Sequence, residues 1–321
     1  MDHGIRVSPL GETGIEVTQL CFGVLPIGPA QLNVPADEGA GVVAAALDGG
    51  VNFLDTAQSY RTYGHIRPAL AARQRPEDVV IASKSAAASY EDMKDAINQA
   101  RQELGRDQID VFHLHAARVT PEVFAQRAGA LRCLVEAKRA GVIRATGIST
   151  HSVTVTRAAA ERDDIDVIFP IINRLGLGIL HGTLDEMVAA VNYGAARGKG
   201  LYAMKVFGGG NLLTDMRSAL DFVLAIDGFA SIAVGMVRTE EVAMNLAIFS
   251  GRMPAPGDGE AEFTQKKLTI MGFCKGCGIC VETCPNHALS LVRDKAFLDE
   301  TKCLLCGYCA PACPEFAIRI V

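Results

Sequence analysis

From Val17 to Val206 short apolar runs alternate with longer stretches whose apolar residues recur every three or four positions. The short runs suit strands buried on both faces and the longer ones amphipathic helices, so their alternation predicts repeated βα units around a parallel sheet. The predicted strands are Gln19–Gly23, Phe53–Ala57, Val79–Lys84, Val111–His115, Ala145–Ser149, Val167–Ile172, Leu201–Val206 and Ile232–Met236. Between them, helical periodicity covers Ala36–Leu47, Ile66–Ala72, Ser89–Leu104, Pro121–Ala140, His151–Arg162, Thr183–Arg197, Met216–Ile226 and Thr239–Phe249, with Ser89 and Thr239 as expected N-caps. Eight such units close into an α/β (β/α)8 TIM barrel, whose functional residues belong at the C-terminal strand ends.

The pattern changes after Ser250-Gly-Arg-Met-Pro-Ala-Pro-Gly-Asp-Gly, a Pro/Gly stretch that reads as a linker. At 321 residues the chain is long enough for a barrel plus a second domain. The expected division is 1–250 for the barrel, 251–262 for the linker and 263–321 for a small α+β domain. This last part holds an internal repeat: Cys280-Val-Glu-Thr-Cys284-Pro-Asn-His-Ala-Leu-Ser-Leu-Val and Cys309-Ala-Pro-Ala-Cys313-Pro-Glu-Phe-Ala-Ile-Arg-Ile-Val both lead from Cys-Pro through a turn to a strand. His287 falls in that turn and is expected at the surface.

Eight of the ten cysteines lie in two runs, Cys274, Cys277, Cys280, Cys284 and Cys303, Cys306, Cys309, Cys313, each ending in Cys-Pro. Zinc closes with four ligands, and no ligand-spaced His accompanies these runs. A disulfide framework belongs to small secreted domains, and the N-terminus lacks the build of a signal peptide. Spacings of three, three and four instead suit thiolates wrapped around an iron–sulfur cubane. The runs resemble the bacterial two-cluster ferredoxin arrangement, in which the fourth Cys of each run serves the other cluster. Carried onto this chain, the resemblance implies one [4Fe–4S] on Cys274, Cys277, Cys280 and Cys313, and another on Cys303, Cys306, Cys309 and Cys284. Cys21 and Cys133 sit among apolar neighbours and are expected in the core.

Composition narrows the remaining classes. Hydrophobic residues make up 49% of the chain, enough for a large core. A net charge of −5 argues against nucleic acid, and no apolar run approaches the roughly 20 residues that span a bilayer. A soluble, cytoplasmic protein is expected.

Polar residues repeatedly close the predicted strands: Asp55, with Tyr60 just beyond, then Lys84, His115, Ser149, Lys205 and Gly235. Four of them form a proton-transfer set. A phenol has an ordinary pKa near 10 and exchanges its proton at neutral pH when a Lys stabilises the phenolate and a carboxylate holds the Lys. A His beside the same oxygen orients a carbonyl.

These residues stand in segments that resemble the aldo-keto reductase family. Leu10-Gly-Glu-Thr-Gly-Ile-Glu-Val-Thr-Gln-Leu-Cys-Phe-Gly23 is similar to its opening hairpin and first strand, and Gly50-Val-Asn-Phe-Leu-Asp55-Thr-Ala-Gln-Ser-Tyr60 to its Asp-Thr-Ala-x-x-Tyr signature. Ile81-Ala-Ser-Lys84, Ile109-Asp-Val-Phe-His-Leu-His115 and Gly141-Val-Ile-Arg-Ala-Thr-Gly-Ile-Ser149 supply its Lys, its His and its fifth strand. Met204-Lys205-Val-Phe-Gly208-Gly209-Gly210 and Tyr60-Arg-Thr-Tyr63 are most similar to the branch fused to a ferredoxin tail. The resemblance implies Tyr60 as general acid, Lys84 lowering its pKa, Asp55 orienting Lys84, His115 placing a substrate carbonyl, and hydride from NADP(H). It also implies cofactor contacts at Ser149, Thr150, Asn173, Lys205, Gly208, Gly235, Arg238, Glu241 and Asn245, with Arg238 suited to a 2′-phosphate. Two family features are replaced: Thr150 stands for the Asn of the carboxamide grip and Phe169 for its Gln. His113 replaces the common Gln two residues before the catalytic His.

Hydride carries two electrons and a cubane accepts one, so joining the two halves calls for a splitter such as a flavin, and no flavin motif is legible. Three readings follow. The barrel oxidises or reduces a carbonyl or alcohol with nicotinamide while the tail exchanges electrons with a partner protein; or the clusters, with or without flavin, feed the substrate and nicotinamide is absent; or the chain is a non-catalytic iron–sulfur interaction module.

Overall fold

The structure, a computed structural model, describes residues 4–29, 31–252, 267–284, 286–303 and 309–320. Eight parallel strands close into a barrel: β3 (Leu20–Gly23), β4 (Phe53–Asp55), β5 (Val80–Ser85), β6 (Ile109–His115), β7 (Ile143–Thr150), β8 (Val167–Pro170), β9 (Gly200–Ala203) and β10 (Ser231–Gly235). Ahead of them a hairpin, β1 (Val7–Pro9) with β2 (Glu16–Thr18), brings Leu10, Ile15 and Val17 against the lower barrel interior. The helices are α1 (Ala36–Asp48), α2 (Tyr63–Ala71), α3 (Tyr90–Leu104), α4 (Val123–Gln126), α5 (Ala128–Arg139), α6 (Val153–Ala160), α7 (Leu184–Ala196), α8 (Met216–Leu224) and α9 (Thr239–Phe249). All eight predicted strands are present, most of them within two residues of the expected ends.

Alternation along the strands builds two cores. Leu20, Phe22, Leu54, Ile81, Phe112, Ile168, Leu201 and Ile232 face the helices. The intervening Cys21, Phe53, Val80, Ala82, Val111, Ala145, Val167, Phe169 and Tyr202 fill the interior. Cys21 and Cys133 are both buried, as their neighbours suggested. Following the inward phase two residues further carries Phe53 to Asp55, Ala82 to Lys84, and Val111 to His113 and His115. Strand alternation therefore aims the polar residues into one mouth.

Local chemistry sets the helix ends. Ser89 Oγ accepts the Asp92 N–H at 3.1 Å, so the expected cap of α3 is made. At α9 the cap position falls to Arg238, and Thr239 is already helical. The Glu241 carboxylate takes the Val237 N–H there instead, at 2.8 Å. The single helix predicted over Pro121–Ala140 breaks at Arg127, whose guanidinium donates to the His115 carbonyl at 3.0 Å. That residue leaves the helical path to tie the end of β6.

The C-terminal part contains β11 (Leu268–Ile270), α10 (Ile279–Thr283), β12 (Leu289–Val292), β13 (Lys295–Leu298), α11 (Cys309–Ala312) and β14 (Ile318–Ile320). Two antiparallel ribbons, β11 with β14 and β12 with β13, enclose a small core of Leu268, Ala288, Leu289, Ala310 and Ile318 with Cys280, Cys284 and Cys309. His287 is exposed, as expected. The segment expected as linker lies almost wholly outside the described residues, as does Cys306.

This tail is docked on the barrel mouth. Phe316, 2% exposed, belongs to the main barrel core. Glu315 pairs with Arg118 of the loop after β6. Strand β14 passes so close to the Gly208–Gly210 turn that a Cβ on Gly209 would stand 2.9 Å from Arg319 Cδ, and one on Gly210 2.0 Å from the Ile320 carbonyl oxygen. With φ of 67° and 95°, these two glycines serve a left-handed turn that admits the tail strand.

Candidate active site and cluster centre

At the mouth, Lys84 Nζ donates to Asp55 Oδ1 at 2.7 Å, to Oδ2 at 2.6 Å and to the Thr56 carbonyl at 2.7 Å. All three ammonium protons are thus in use. Burial pushes the Asp55 carboxyl up and the Lys84 ammonium down, while their mutual attraction opposes both shifts. Lys84 Nζ lies 5.0 Å from the centre of the Tyr60 ring, and the Tyr60 and His115 rings meet edge to face at 5.9 Å. The four tetrad candidates are therefore brought together.

Tyr60 is pushed up by burial and by the Asp55 charge, and the positive charge acting against this is Arg319 of β14. Lys84 was expected in that role, but its charge is matched by Asp55. His115 is pushed down to about 3 by burial and by Lys84, Lys205 and Arg127. It is a neutral imidazole at ordinary pH, able to hydrogen-bond to a carbonyl without carrying charge.

Sequence reasoning missed two groups behind this set. Tyr202, inside an apolar run, donates to Asp55 Oδ1 at 3.0 Å, and its oxygen lies 2.8 Å from His113 Nε2. A phenol has one proton, so His113 Nε2 is the donor in that contact. Burial holds His113 well below its ordinary pKa, and the ring occupies space that only Gly147 leaves: a Cβ there would stand 2.2 Å from His113 Nδ1. Arg319, from the strand that follows the second Cys-Pro, is the second.

A cavity of about 190 Å³ opens beside Tyr60. Its polar lining includes Asp55, Lys205, Glu241 and Arg319, and its apolar walls include Leu25, Phe169, Phe207 and Leu213. The expected cofactor residues divide. Gly235, Lys205 and Glu241 line the cavity, Arg238 pairs with Glu241 at 3.7 Å, and Asn245 donates to the Glu241 carbonyl at 2.8 Å. Gly208 is buried beside Leu177 and Leu212. The carboxamide grip is otherwise engaged: both amide ends of Asn173 bond the Leu177 backbone at 2.9 Å, and Thr150 Oγ1 accepts the Ser152 N–H at 3.1 Å. Phe169 stacks on Tyr202 at 3.8 Å, and Ser149 Oγ is buried without a hydrogen-bond partner among the described residues. The residues expected at the adenosine end are thus gathered around Glu241, while those expected at the carboxamide are bonded or stacked elsewhere.

In the tail, Cys274, Cys277, Cys280 and Cys313 line one small cavity together with Gly276 and Ala317. Backbone N–H groups point at sulfur: Gly276 and Ala296 to Cys274 at 3.4 and 3.5 Å, Ala317 to Cys313 at 3.3 Å and Ala288 to Cys284 at 3.3 Å. The last two bonds each span four residues past a Cys-Pro, so the sequence repeat is also a geometric one. Burial lifts the Cys309 thiol to about 12, with Cys284, Cys280 and Cys303 close enough to act on it. A soft thiolate set with N–H donors fits the expected cubanes.

The sequence profile of the Aldo/keto reductase family matches residues 19–223. The chain belongs to that family. A 4Fe-4S dicluster domain matches residues 273–318, so this aldo/keto reductase is an oxidoreductase with an iron–sulfur tail. Pyridoxal 4-dehydrogenase of Microbacterium luteolum is 22% identical over 320 aligned residues, covering 76% of this chain and 93% of that protein. The 6-dehydroglucose reductase of Novosphingobium aromaticivorans is 31% identical over 162 residues, covering 44% of this chain and 51% of that one. A solved structure described as an aldo-keto reductase of Pseudomonas aeruginosa has a TM-score of 0.65 at 25% identity, over 77% of this chain and 95% of its own. No helix among the described residues of this reductase is long and apolar enough to cross a membrane.

Proposed function

We propose that the barrel interconverts a carbonyl and an alcohol, with Tyr60 as general acid, and that the tail carries two [4Fe–4S] clusters that move electrons to or from this site. The observation that carries this reading is a cavity lined by Asp55, Tyr60 and the tail residue Arg319, with Lys84 bonded to Asp55 and the His115 ring against Tyr60. Tyr60 gives its proton to the substrate oxygen, neutral His115 orients that oxygen, and the Lys84–Asp55 pair fixes the floor beneath them. The relatives' names, a pyridoxal dehydrogenase and a dehydroglucose reductase, support a small carbonyl or alcohol substrate.

One cluster would use Cys274, Cys277, Cys280 and Cys313; the other would use Cys284, Cys303, Cys306 and Cys309. Bound there, the cubanes supply or accept electrons singly. Thiolate ligands suit a reducing, cytoplasmic setting, and a protein that exchanges electrons with the tail is the expected partner. The end of α9 at Phe249 supports a division near residue 250. NADP(H) remains the family's implied carrier, with Arg238, Glu241 and Asn245 suited to its adenosine end. No step is assigned to its nicotinamide, because Asn173, Thr150 and Phe169 are otherwise engaged.

That engagement favours a second reading, in which the nearer cluster feeds the barrel directly. Phe316 and Arg319 follow Cys313 by three and six residues and stand against His151 and the cavity, so a cluster held by Cys313 would lie close to that cavity. Anaerobic titration of the cluster-loaded protein separates the two. Bleaching of the clusters by NADPH supports nicotinamide; bleaching by dithionite alone, followed by re-oxidation with a carbonyl substrate, supports direct feeding. In either case Tyr60→Phe is expected to lower turnover by roughly 10²–10⁴-fold. Wild-type turnover in that variant would overturn the role of Tyr60.

A further inference from the structure

The cavity beside Tyr60 has two basic side chains that no carboxylate pairs among the described residues. Lys84 is matched by Asp55, and Glu241 is held by the Val237 N–H and by Arg238. Arg319 and Lys205 remain. Arg319 is 4% exposed, its Nη1 donates to the Ile318 carbonyl at 3.1 Å, and its guanidinium lies 4.0 Å from the centre of the Phe316 ring. It has no carboxylate partner among the described residues. A guanidinium stays charged at neutral pH, and a buried charge without a counter-charge is destabilising. Lys205 stands at a left-handed backbone position, φ 59°, with Nζ 2.9 Å from His151 Nε2 and 5.3 Å from the Phe316 ring. Two basic side chains, one from each domain, thus flank the same aromatic ring and line the same cavity.

We propose that Lys205 and Arg319 together hold an anionic group, a carboxylate or a phosphate monoester, on the substrate that Tyr60 protonates, so that the tail completes the substrate site of the barrel. The ligand class is a carbonyl or alcohol compound with a compact apolar body, to suit Leu25, Phe169, Phe207 and Leu213, and one anionic substituent. The planar guanidinium fork suits two oxygens of such a group. The proposal rests on the barrel reading above for the reacting carbonyl; the anion site itself stands on the two cations and the cavity.

Lys205 adds a second signature. Burial and the facing charges of Arg319, Arg118 and Lys84 hold its ammonium well below the ordinary lysine value, with His151 beside it also kept neutral by burial and Lys205. An anion arriving between Lys205 and Arg319 reverses that balance, so binding takes up a proton.

The test is calorimetric binding to the full-length, cluster-loaded protein. The probes are 4-(hydroxymethyl)benzoate, benzyl phosphate and the uncharged 4-(hydroxymethyl)benzamide. We expect at least one anion to bind roughly tenfold or more tighter than the amide, with a heat that depends on buffer ionisation in the sense of proton uptake. Whichever of carboxylate and phosphate binds tighter identifies the group. Arg319→Gln and Lys205→Met should each abolish the preference, and Arg319→Lys should restore part of it. Cluster absorbance shows whether each variant keeps its tail, and Lys205→Met tests the site without altering the tail.

Equal affinity for anions and amide overturns the proposal. So does a weakening of NADP+ binding in Arg319→Gln with anion binding unchanged, because the cations would then belong to a nucleotide phosphate. Tyr60→Phe keeps the two readings apart. Anion preference retained with turnover unaffected by that change defeats the barrel chemistry alone; lost turnover without any anion preference defeats the anion site alone.

Discussion

Tyr202 shows how much of this site depends on a residue that touches no expected ligand. Its hydroxyl gives its single proton to Asp55 and receives one from His113, so the carboxylate that holds Lys84 is itself held from behind. Substituting Tyr202→Phe keeps the ring, and with it the stacking on Phe169, but leaves Asp55 Oδ1 one donor short and His113 Nε2–H without an acceptor. A buried hydrogen bond to a charged group contributes about 1.5–3 kcal/mol, so urea unfolding should show a loss on that order. Tyr202 acts on the reaction only through Asp55 and Lys84. We therefore expect kcat to fall while KM for a neutral substrate stays nearly constant, and the pH profile of kcat to move as Asp55 loses its donor. A stability equal to that of the wild type would show the Tyr202 bond to be unimportant.

At the scale of elements, the contact that couples the two domains is β14 against the Gly208–Gly210 turn. A methyl group at position 210 meets the backbone oxygen of Ile320, which cannot swing away as a side chain would. Gly210→Ala should therefore loosen β14, seen as faster amide hydrogen exchange over 316–320, with the barrel strands unchanged and the cluster absorbance retained. Gly50→Ala is the matched control: its φ of 94° is nearly that of Gly210, but nothing lies within 4 Å of its Cβ. Equal effects from both changes would attribute the loss to backbone strain and not to the close approach. The same turn marks the boundary of what sequence could tell. Strands such as Val80–Ser85 were legible because fully buried parallel strands read as apolar runs, and the tetrad because the period of two aims strand ends into one mouth. Three consecutive glycines, by contrast, read as a flexible turn, since nothing local says that a strand more than 100 residues later lies on them. Arg319 was hidden for the same reason, and Tyr202 because one hydroxyl in an apolar run looks like core. Asn173 was assigned to a cofactor; its actual partners are the backbone groups of Leu177 in its own loop, a competition that residue type cannot reveal.

For the whole molecule, the mouth concentrates neutral bases that become charged when the chain unfolds. His113 and His151 are held well below the ordinary histidine value and His115 near 3, all three mainly by burial; Lys205 is held well below the ordinary lysine value. In each case the unfolded chain binds the proton at a higher pH than the folded one, so stability is fully present only above the unfolded pKa and is lost as pH falls toward the folded one. The histidine window opens near pH 6.5 and extends down to about 3 for His115; the lysine window opens near 10.5. Because Phe316 is part of the barrel core, the tail shares this dependence. We expect the anaerobic urea midpoint, followed by far-UV circular dichroism, to fall from pH 8.5 to 7 and more steeply from 7 to 5.5, with cluster absorbance lost at the same urea concentration as the barrel signal. Lys205→Met should flatten the upper interval and keep a fall in the lower one, since it removes the lysine and leaves His113, held down by burial and Lys84, in place. A wild-type midpoint constant across the three pH values would mean that these bases are not buried neutral. Separate transitions for cluster and barrel would mean that Phe316 does not bind the two domains into one cooperative unit.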